Sequence, residues 1–293
     1  MARLLITGGS GFIGRNLVEH FRPDHTVLAP SHAELDLTSA DGTRAFFQEN
    51  AVDAVIHCAT KPGHRNAPDP TGLVYNNTRM FFNLVRNRRC FGKMVYLSTG
   101  AVYDVRHFQP KMPEGYFDAY VPVDETGYSK YVCARFTADT DDIIELRPFG
   151  VFGKYEDYAI RFISNAICKT LFDLPITLKQ NRRFDYIYID DLARVVDYFL
   201  HHDATHSAYN VTPDGAIELR TLAEKVLSVS GKELPVIVAQ PGMGIEYSGD
   251  NSRLRTELDG LVLTPIDEAV RRLYDWYSAN IDLIDREALL IDK

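Results

Sequence analysis

The stretch Arg3-Leu-Leu-Ile-Thr-Gly-Gly-Ser-Gly-Phe-Ile-Gly14 decides the fold of this 293-residue chain. Its first five residues form a run of strand length, and Phe12 opens an apolar-periodic segment that is typical of a helix. Glycines between a strand and a helix make a tight turn and let backbone N–H groups approach a pyrophosphate, which the helix N-terminus favours electrostatically. The stretch therefore predicts a strand, a glycine-rich turn and a helix that together bind a dinucleotide.

Beyond this stretch, short apolar runs alternate with segments of helical periodicity through the first two thirds of the chain. That alternation is typical of β-α-β units around a parallel sheet. Strands are predicted over residues 3–7, 26–29, 54–58, 93–98, 143–147, 184–189 and 208–211. Helices are predicted over residues 12–21, 75–88, 128–136, 159–169, 190–201, 218–228 and 266–277.

We therefore expect an α/β fold, a Rossmann-like doubly wound parallel sheet with a smaller C-terminal α+β substrate lobe. Residues 1–150 plus about 186–212 are expected to form the dinucleotide-binding domain. Residues about 151–185 plus 213–293 are expected to form the substrate-binding lobe. No internal repeat or low-complexity linker separates the two parts, so we expect them to be interleaved along the chain.

Composition narrows the possible partners. With 32 Lys and Arg against 40 Asp and Glu, a net charge of −8 and no basic block, the chain is not expected to bind nucleic acid. No apolar run reaches the ~18 residues that span a bilayer, so no membrane partner is expected. Cys58, Cys90, Cys133 and Cys168 have neither metal-ligand nor disulfide spacing, so no metal is expected. A strand directly after the initial methionine predicts a cytoplasmic protein without a signal peptide.

Nine motifs follow one another along nearly the whole chain. They are the Gly8, Gly11 and Gly14 spacing, Leu35-Asp-Leu37, His57-Cys-Ala59, Asn77, Leu97-Ser-Thr-Gly-Ala-Val-Tyr103, Gly127-Tyr-Ser-Lys130, Leu146-Arg-Pro-Phe-Gly-Val-Phe-Gly153, Phe184-Asp-Tyr-Ile-Tyr-Ile-Asp-Asp191, and Asp250-Asn-Ser-Arg253 before Trp276. In type and order they resemble the extended short-chain dehydrogenase/reductases, in the NAD-dependent epimerase/dehydratase branch that acts mainly on nucleotide sugars. The resemblance implies an oxidoreductase or isomerase with a nucleotide-sugar substrate.

The resemblance also implies a site for NAD or NADP. Its implied residues are Gly8, Ser10, Gly11, Phe12, Ile13, Gly14, Asp36, Leu37, Cys58, Ala59, Thr60, Asn77, Leu97, Ser98, Lys130, Pro148 and Val151. NAD specificity usually rests on an acidic residue at the end of the second strand, which holds the ribose 2′-hydroxyl. Here the second strand leads to Ser31 and His32 instead, and these side chains favour the 2′-phosphate of NADP. The alternative is NAD, with Glu34 as a displaced ribose ligand.

Hydride transfer to or from a carbinol carbon needs a group that moves the hydroxyl proton. The family uses a Tyr and, four residues later on the same helical face, a Lys that lowers the pKa of the phenol and binds the nicotinamide ribose. Lys130 fits the Lys, and Thr99 fits the Ser/Thr partner that hydrogen-bonds the reacting oxygen. Thr126 occupies the Tyr position, where its hydroxyl can only position a water or the substrate. Tyr128 lies about 200° around the helix from Lys130 and should point away.

Other proton donors stand on a long loop predicted over residues 104–125, and the sequence does not choose among His107, Tyr116 and Tyr120. Gly100 and Ala101 replace the Asp-Glu pair of the 4,6-dehydratases, which disfavours dehydration. Two hypotheses follow. The first is an NAD(P)-dependent reductase or epimerase of a nucleotide sugar with an atypical proton donor. The second is a catalytically impaired dinucleotide-binding sensor or partner subunit.

The substrate residues implied by the resemblance are Thr99, Gly100, Gly150, Arg183 and Arg253. The two arginines are candidate phosphate clamps because a guanidinium matches the geometry of phosphate oxygens. Gly150 stands where family members commonly carry an Asn, so we expect one sugar or phosphate contact to be missing.

A homodimer is also predicted. Family members commonly pair through two helices that correspond to residues 75–88 and 128–136. These helices carry more aromatic side chains than one buried stripe needs, namely Phe81, Phe82, Tyr131 and Phe136. The alternative is that all four lie in the core of the monomer.

Overall fold

Six parallel strands form the central sheet in the computed structural model, which describes residues 1–64 and 66–291. The strands of the described residues are β1 (Arg3–Thr7), β2 (Thr26–Leu28), β3 (Ala54–His57), β4 (Lys93–Leu97), β5 (Ile143–Pro148), β6 (Val151–Phe152), β7 (Ile176–Asn181), β8 (Arg183–Phe184), β9 (Ile187–Tyr188), β10 (Ala208–Val211), β11 (Ile217–Glu218) and β12 (Val236–Met243). The order in the central sheet is β2-β1-β3-β4-β5-β10. The predicted α/β fold with a parallel sheet is confirmed.

The helices cover both faces of this sheet and build most of the second lobe. They are α1 (Phe12–Phe21), α2 (Ala40–Glu49), α3 (Leu73–Arg86), α4 (Glu125–Thr137), α5 (Phe162–Leu171), α6 (Ile189–His201), α7 (Leu219–Ser230), α8 (Ser252–Glu257), α9 (Ile266–Ala279) and α10 (Arg286–Leu289). Within residues 1–64 and 66–291, no helix combines the length and the apolar character that crossing a membrane requires.

Side chains of β1 point alternately to two separate cores. Leu4 and Ile6 are buried with residues of α1 and α6, whereas Leu5 is buried on the opposite face with Phe81 of α3 and Cys133 of α4. A strand buried on both faces must be apolar at nearly every position, which explains the continuous apolar run at the start of the chain.

The position of β1 creates the crevice where a ligand is expected. β1 pairs with β2 on one side and with β3 on the other, so the winding direction of the chain reverses at β1. In open parallel sheets, ligands bind beyond the carboxyl ends of the strands at such a reversal. The glycine-rich turn follows β1 and therefore lies at this place.

The chain leaves the central sheet after β5 to build the second lobe. There β7 pairs with β12 in parallel, and β8 pairs with β11 antiparallel. The chain then returns to add β10 beside β5 at the sheet edge. This crossing back and forth is the interleaving that we expected, while the domain boundaries proposed from the sequence stay a prediction.

Several element boundaries differ from the sequence prediction. α4 begins three residues earlier because the side chain of Asp124 caps it, accepting a hydrogen bond from the Gly127 amide at 2.8 Å. α2 was not predicted, and it begins after Ser39, which accepts from the Gly42 amide at 3.1 Å. The strand predicted over 184–189 is divided between β8 and β9.

Asn210 on β10 ties the central sheet to two distant segments. Its side-chain oxygen accepts from the Tyr103 hydroxyl at 2.8 Å, and its amide donates to the carbonyls of Met112 and Asp250 at 2.8 and 3.0 Å. Arg147 on β5, itself buried, donates to the Tyr103 hydroxyl at 2.9 Å. We call these five residues the Asn210 network.

Candidate active site

The glycine-rich turn between β1 and α1 forms a cradle for an anion. Gly8 has a φ of +69°, and a Cβ there would lie 2.8 Å from the Ala59 backbone. A Cβ on Gly14 would lie 2.1 Å from the Gly8 carbonyl oxygen, so only glycine fits. Gly11 caps α1 without a side-chain hydrogen bond. The first N–H groups of α1 therefore remain available for a pyrophosphate.

A small pocket of about 110 Å³ adjoins this turn on the side of β2. Its lining residues are Thr7, Gly8, Ser10, Pro30, His32, Leu35, Leu37, Ala59 and Met80. Its mostly apolar walls beside the glycine turn suit an adenine ring. The Asp36 carboxylate instead accepts from the amide and hydroxyl of Thr38 at 2.8 and 2.7 Å, which is a turn-stabilising role.

Glu34 binds the polar groups of Ser31 at the edge of this pocket. Its carboxylate accepts from both the amide and the hydroxyl of Ser31, at 2.7 and 2.8 Å. These hydrogen bonds lower the pKa of Glu34, so it is anionic at neutral pH. Ser31 therefore has its donors engaged beside a negative charge, which opposes the 2′-phosphate that the sequence interpretation favoured.

Lys130 lies buried between α4 and the sheet. Its Nζ donates to the Leu97 carbonyl at 3.1 Å and stands 4.9 Å from the centre of the Tyr96 ring. Burial lowers the pKa of Lys130. The ammonium therefore lies at the carboxyl end of β4, below the place where Ser98 and Thr99 begin.

The segment after β3 is held in place by Asn77 of α3. The side-chain oxygen of Asn77 accepts from the Lys61 amide at 2.6 Å and from the Thr60 hydroxyl at 3.3 Å. Burial raises the pKa of the neighbouring Cys58 thiol to about 12, so it stays uncharged. Asn77 thus shapes the backbone that faces the glycine turn.

A cavity of about 830 Å³ opens between the sheet and the second lobe. At the sheet end its walls include Phe12, Ile13, Ser98, Thr99, Pro148 and Val151. At the other end they include three cationic side chains, those of Arg161, Lys179 and Arg182. One continuous space therefore joins the predicted nicotinamide site to a positively charged end, where α5 also begins with its positive dipole terminus.

A sequence profile of the NAD dependent epimerase/dehydratase family matches residues 4–212, which is most of the chain. The chain belongs to that family. The resemblance inferred from the nine motifs is thereby confirmed, and the protein is a member of an NAD(P)-dependent enzyme family.

Other members of the epimerase/dehydratase family are similar over different lengths. A GDP-L-fucose synthase of Azorhizobium caulinodans is 33% identical over 106 residues, 34% of this chain and of that protein. A UDP-glucose 4-epimerase of Bacillus subtilis is 25% identical over 333 residues, covering 95% of this chain and 98% of its own length. The structure of a GDP-mannoheptose C4 reductase from Campylobacter jejuni has the same fold, with a TM-score of 0.81, 18% identity, and coverage of 94% of this chain and 98% of that one.

The departure from the family pattern lies in the first turn of α4. The motif comparison predicts that Thr126 takes the place of the family's catalytic Tyr, and its hydroxyl lies 2.9 Å from the position that a Cβ on Gly63 would take. The segment after β3 therefore closes over Thr126 and leaves little room for a larger side chain. Tyr128 is 41% exposed and cannot substitute from its side of the helix.

The loop residues considered as proton donors pack against one another. His107 and Tyr120 stack with ring centres 3.7 Å apart, and Tyr116 lies 5.9 Å from Tyr120. None of the three is among the described residues that line the cavity. Their stacking supports a structural role for this loop.

Arg182, the residue before the predicted phosphate clamp Arg183, is the one of these two arginines that lines the cavity. Arg183, the predicted phosphate clamp, faces Glu218 at 3.9 Å and does not contribute to the cavity wall. Arg182 does, and its guanidinium lies 5.2 Å from the Phe184 ring. Arg182 lies in the one-residue gap between β7 and β8, whereas Arg183 is the first residue of β8 and pairs with Glu218 of β11.

The two predicted substrate glycines are explained by packing. A Cβ on Gly150 would lie 2.5 Å from the Asp185 carbonyl oxygen and 2.7 Å from the Phe184 ring. Phe184 thus occupies the space that the Asn of other family members would need. A Cβ on Gly100 would lie 2.8 Å from the Phe149 ring.

Arg253 lies at the start of α8, where it faces the buried carboxylate of Glu114 at 3.8 Å. It is not part of the cavity wall among the described residues. Sequence reasoning also missed Arg161 and Lys179, because neither belongs to a motif. The only available signal for Lys179 is the alternation of a strand, and that signal does not tell which face meets a cavity.

Proposed function

We propose that the protein is an NAD(P)-dependent reductase or epimerase that acts on the sugar of a nucleotide sugar, with an atypical proton donor. The supporting observation is the cavity whose walls include Phe12, Ile13 and Thr99 as well as Arg161, Lys179 and Arg182. Guanidinium and ammonium groups suit a diphosphate, and a diphosphate is what links the nucleoside and the sugar of such a substrate. The names of the similar proteins agree with this substrate class.

Different residues of the chain bind the dinucleotide and the substrate. The N-terminus of α1 holds the pyrophosphate of the dinucleotide, and Lys130 holds its nicotinamide ribose. When bound, the nicotinamide exchanges a hydride with a sugar carbon. Thr99 hydrogen-bonds the oxygen of that carbon, while Arg182 and Lys179 hold the substrate diphosphate in the second lobe.

A second candidate function is a dinucleotide-binding sensor or partner subunit without turnover. Thr126 is the observation that favours it, because a threonine hydroxyl cannot serve as the acid or base that a phenol provides.

The proposal also covers the choice between NAD and NADP, the cellular location and the oligomeric state. Ser31 and His32 support NADP, whereas the Glu34 charge supports NAD, so we propose that Glu34 sets the preference. The free thiols of the four cysteines fit a reducing compartment such as the cytoplasm. We also propose a homodimer through the face formed by α3 and α4.

Titration calorimetry with NADH and NADPH, followed by turnover assays on UDP-glucose, GDP-L-fucose and their 4-keto forms, tests the function. Sugar products should be analysed as well as nicotinamide absorbance, because an epimerase shows no net absorbance change. The control is Gly11→Val. A Cβ on Gly11 meets only the Gly8 carbonyl, at 3.4 Å, and its φ of −81° suits valine, so the variant should fold.

In Gly11→Val the added side chain fills the pyrophosphate space, so dinucleotide affinity should fall by at least about tenfold. An unchanged affinity, or no binding by the wild type, contradicts the dinucleotide site. Binding without turnover on any of these sugars favours the sensor or partner subunit.

A further inference from the structure

The hydroxyl of Thr99 has a phenol as its neighbour, on the side opposite to α4. Tyr247 precedes the Asp250 motif, and its side chain lies close enough to that of Thr99 for the two hydroxyls to interact. The Thr99 oxygen also accepts from the Ala101 amide at 3.3 Å. Tyr247 is not itself among the described residues that line the cavity, but Thr99 is, so an ionisable hydroxyl stands beside the reacting end of the proposed substrate site.

The ring of Tyr247 is fixed by aromatic neighbours. Its centre lies 4.9 Å from that of Phe149 and 4.8 Å from those of Phe184 and Phe108. Phe149 and Phe184 are themselves part of the cavity wall. Tyr247 is half-buried, so its position is defined by packing while part of its surface stays open.

The backbone of Tyr247 is equally constrained. Its amide donates to the Arg183 carbonyl at 3.0 Å, and its carbonyl accepts from the Asp185 amide at 3.0 Å. These bonds attach the segment to β8 on both sides of Phe184. A proton donor needs such fixed placement, because proton transfer depends on a short, aligned hydrogen bond.

Tyr247 also lies near the turn from which the family phenol is missing. Asp124, which caps α4, is close enough for its charge to act on the Tyr247 hydroxyl. Thr126 lies two residues after Asp124. The phenol of Tyr247 therefore belongs to the second lobe, whereas the family places its catalytic phenol on the helix that corresponds to α4.

We propose that Tyr247 is the proton donor of this protein and that it acts, with Thr99, on the carbonyl oxygen of a keto nucleotide sugar. The inference rests on the proposed function. A hydride supplied by the reduced dinucleotide adds to the carbonyl carbon, and the π electron pair of the C=O bond moves to oxygen. That oxygen takes the proton of Tyr247 Oη, which gives a secondary alcohol, and the phenolate regains its proton from water.

The surroundings of Tyr247 keep its hydroxyl protonated. Burial raises the pKa of Tyr247 well above its ordinary value, and the nearby Tyr103 and Asp124 raise it further, while Thr99 and Arg182 lower it. A phenol with a raised pKa holds its proton at neutral pH, so the hydroxyl carries a proton when a carbonyl oxygen is bound beside it. The family phenol is instead shifted toward its base form by the Lys beside it.

The test compares Tyr247→Phe with Tyr120→Phe. The first removes one hydroxyl and keeps the ring packing, and the second removes a phenol from the loop outside the cavity. In Tyr247→Phe we expect kcat for keto-sugar reduction to fall by roughly 10²- to 10⁴-fold, with little change in KM and in dinucleotide affinity. Tyr120→Phe should retain the wild-type kcat.

A readout that does not depend on turnover is the NMR signal of Tyr247 in protein labelled with ¹³C at tyrosine Cζ. Tyr247→Phe identifies the signal by its disappearance. Adding UDP-glucose or GDP-L-fucose to the protein without dinucleotide should shift this signal, because the sugar hydroxyl contacts Oη.

The outcomes separate the inference from the proposed function. If dinucleotide does not bind, the proposed function fails first. If the wild type turns over and Tyr247→Phe keeps its kcat, or if Tyr120→Phe loses it, another group donates the proton and the inference is overturned. If no sugar is turned over, the NMR signal of Tyr247 decides. A signal that does not shift when a nucleotide sugar is bound overturns the inference, and a signal that shifts supports it.

Discussion

Glu34 is the residue on which we propose that dinucleotide preference depends. Its carboxylate engages both donors of Ser31 at the edge of the adenine-side pocket. Glu34→Gln keeps an acceptor for Ser31 and removes the negative charge that a 2′-phosphate would meet. Affinity for NADPH relative to NADH should therefore rise about two- to fivefold, the size expected of an exposed charge.

Dissociation constants for both dinucleotides measure this shift. Asp41→Asn is the matched control, since it removes an equally exposed carboxylate that pairs with Arg44 away from the pocket. A ratio that stays constant in Glu34→Gln, or that moves toward NADH, contradicts a role for Glu34 in cofactor choice.

Individual site residues also show which parts of the site could be predicted from the sequence. The glycine cradle could be predicted because each glycine follows from local backbone geometry next to β1. Arg182 could not be distinguished from Arg183, because only the pairing of Arg183 with Glu218 of β11, which is distant in the sequence, separates the environments of the two arginines. Tyr247 could not be found at all, since its contact with Thr99 joins two lobes that are distant in the chain.

The pair of helices α3 and α4 is the element on which the proposed homodimer depends. Phe81, Phe82 and Phe136 pack with one another within the monomer, at 5.3 to 6.1 Å between ring centres. These aromatics therefore already have partners, as the alternative hypothesis held for them. Tyr75 and Tyr128 on the same helices are 62% and 41% exposed and remain available to a second copy.

Light scattering at tens of micromolar protein should give the mass of a dimer. The double variant Tyr75→Glu, Tyr128→Glu places charges on the proposed face and should give a monomer. Val262→Glu, at a 73% exposed position outside α3 and α4, should leave the dimer intact. A monomeric wild type contradicts the dimer, and dissociation by Val262→Glu contradicts the choice of face.

Element existence was easier to predict than element ends. The apolar periodicity of α1 and the strand runs of the central sheet carried enough signal, because both arise from burial on the sheet. The start of α4 depends on the Asp124 cap, and α2 has few buried residues, Thr43 and Phe47 among them, so its pattern is weak.

For the whole molecule, the stability depends on a carboxyl group buried where the two lobes meet. Asp185 lies between β8 and β9 and accepts from the Gly249 amide at 2.8 Å. Burial, together with the charge of Glu246, raises the pKa of Asp185 to about 7, and Lys111 opposes this. In the unfolded chain the group ionises near its ordinary value of 3.8.

Between these two pKa values Asp185 is protonated in the folded protein and ionised in the unfolded chain. Asp185 therefore makes the fold less stable as the pH rises from about 4 to 7. Asp185→Asn keeps an acceptor for Gly249 and abolishes the titration. The variant should exceed the wild type in free energy of unfolding by up to about 4 kcal/mol at pH 8 and by little at pH 4.

Denaturant unfolding at both pH values measures the difference. Burial lowers the pKa of His57 to about 3, so His57 makes the protein less stable as the pH falls below 6.5, the ordinary pKa of histidine. This effect is the same in the wild type and in Asp185→Asn. A variant that gains the same stability at both pH values, or none, contradicts the buried ionisation of Asp185.

The Asn210 network has a consequence for anyone who divides this gene. A product that ends at residue 150 keeps Tyr103, Met112 and Arg147 but loses Asn210, which satisfies the first two. It also exposes the open edge of β5, a template for aggregation once β10 is gone. The sheet is completed only when the ribosome reaches β10, after the first part of the predicted second lobe and before the rest of it. We therefore expect that the two lobes will not fold as separate products and will not be exchangeable between homologues by a single crossover.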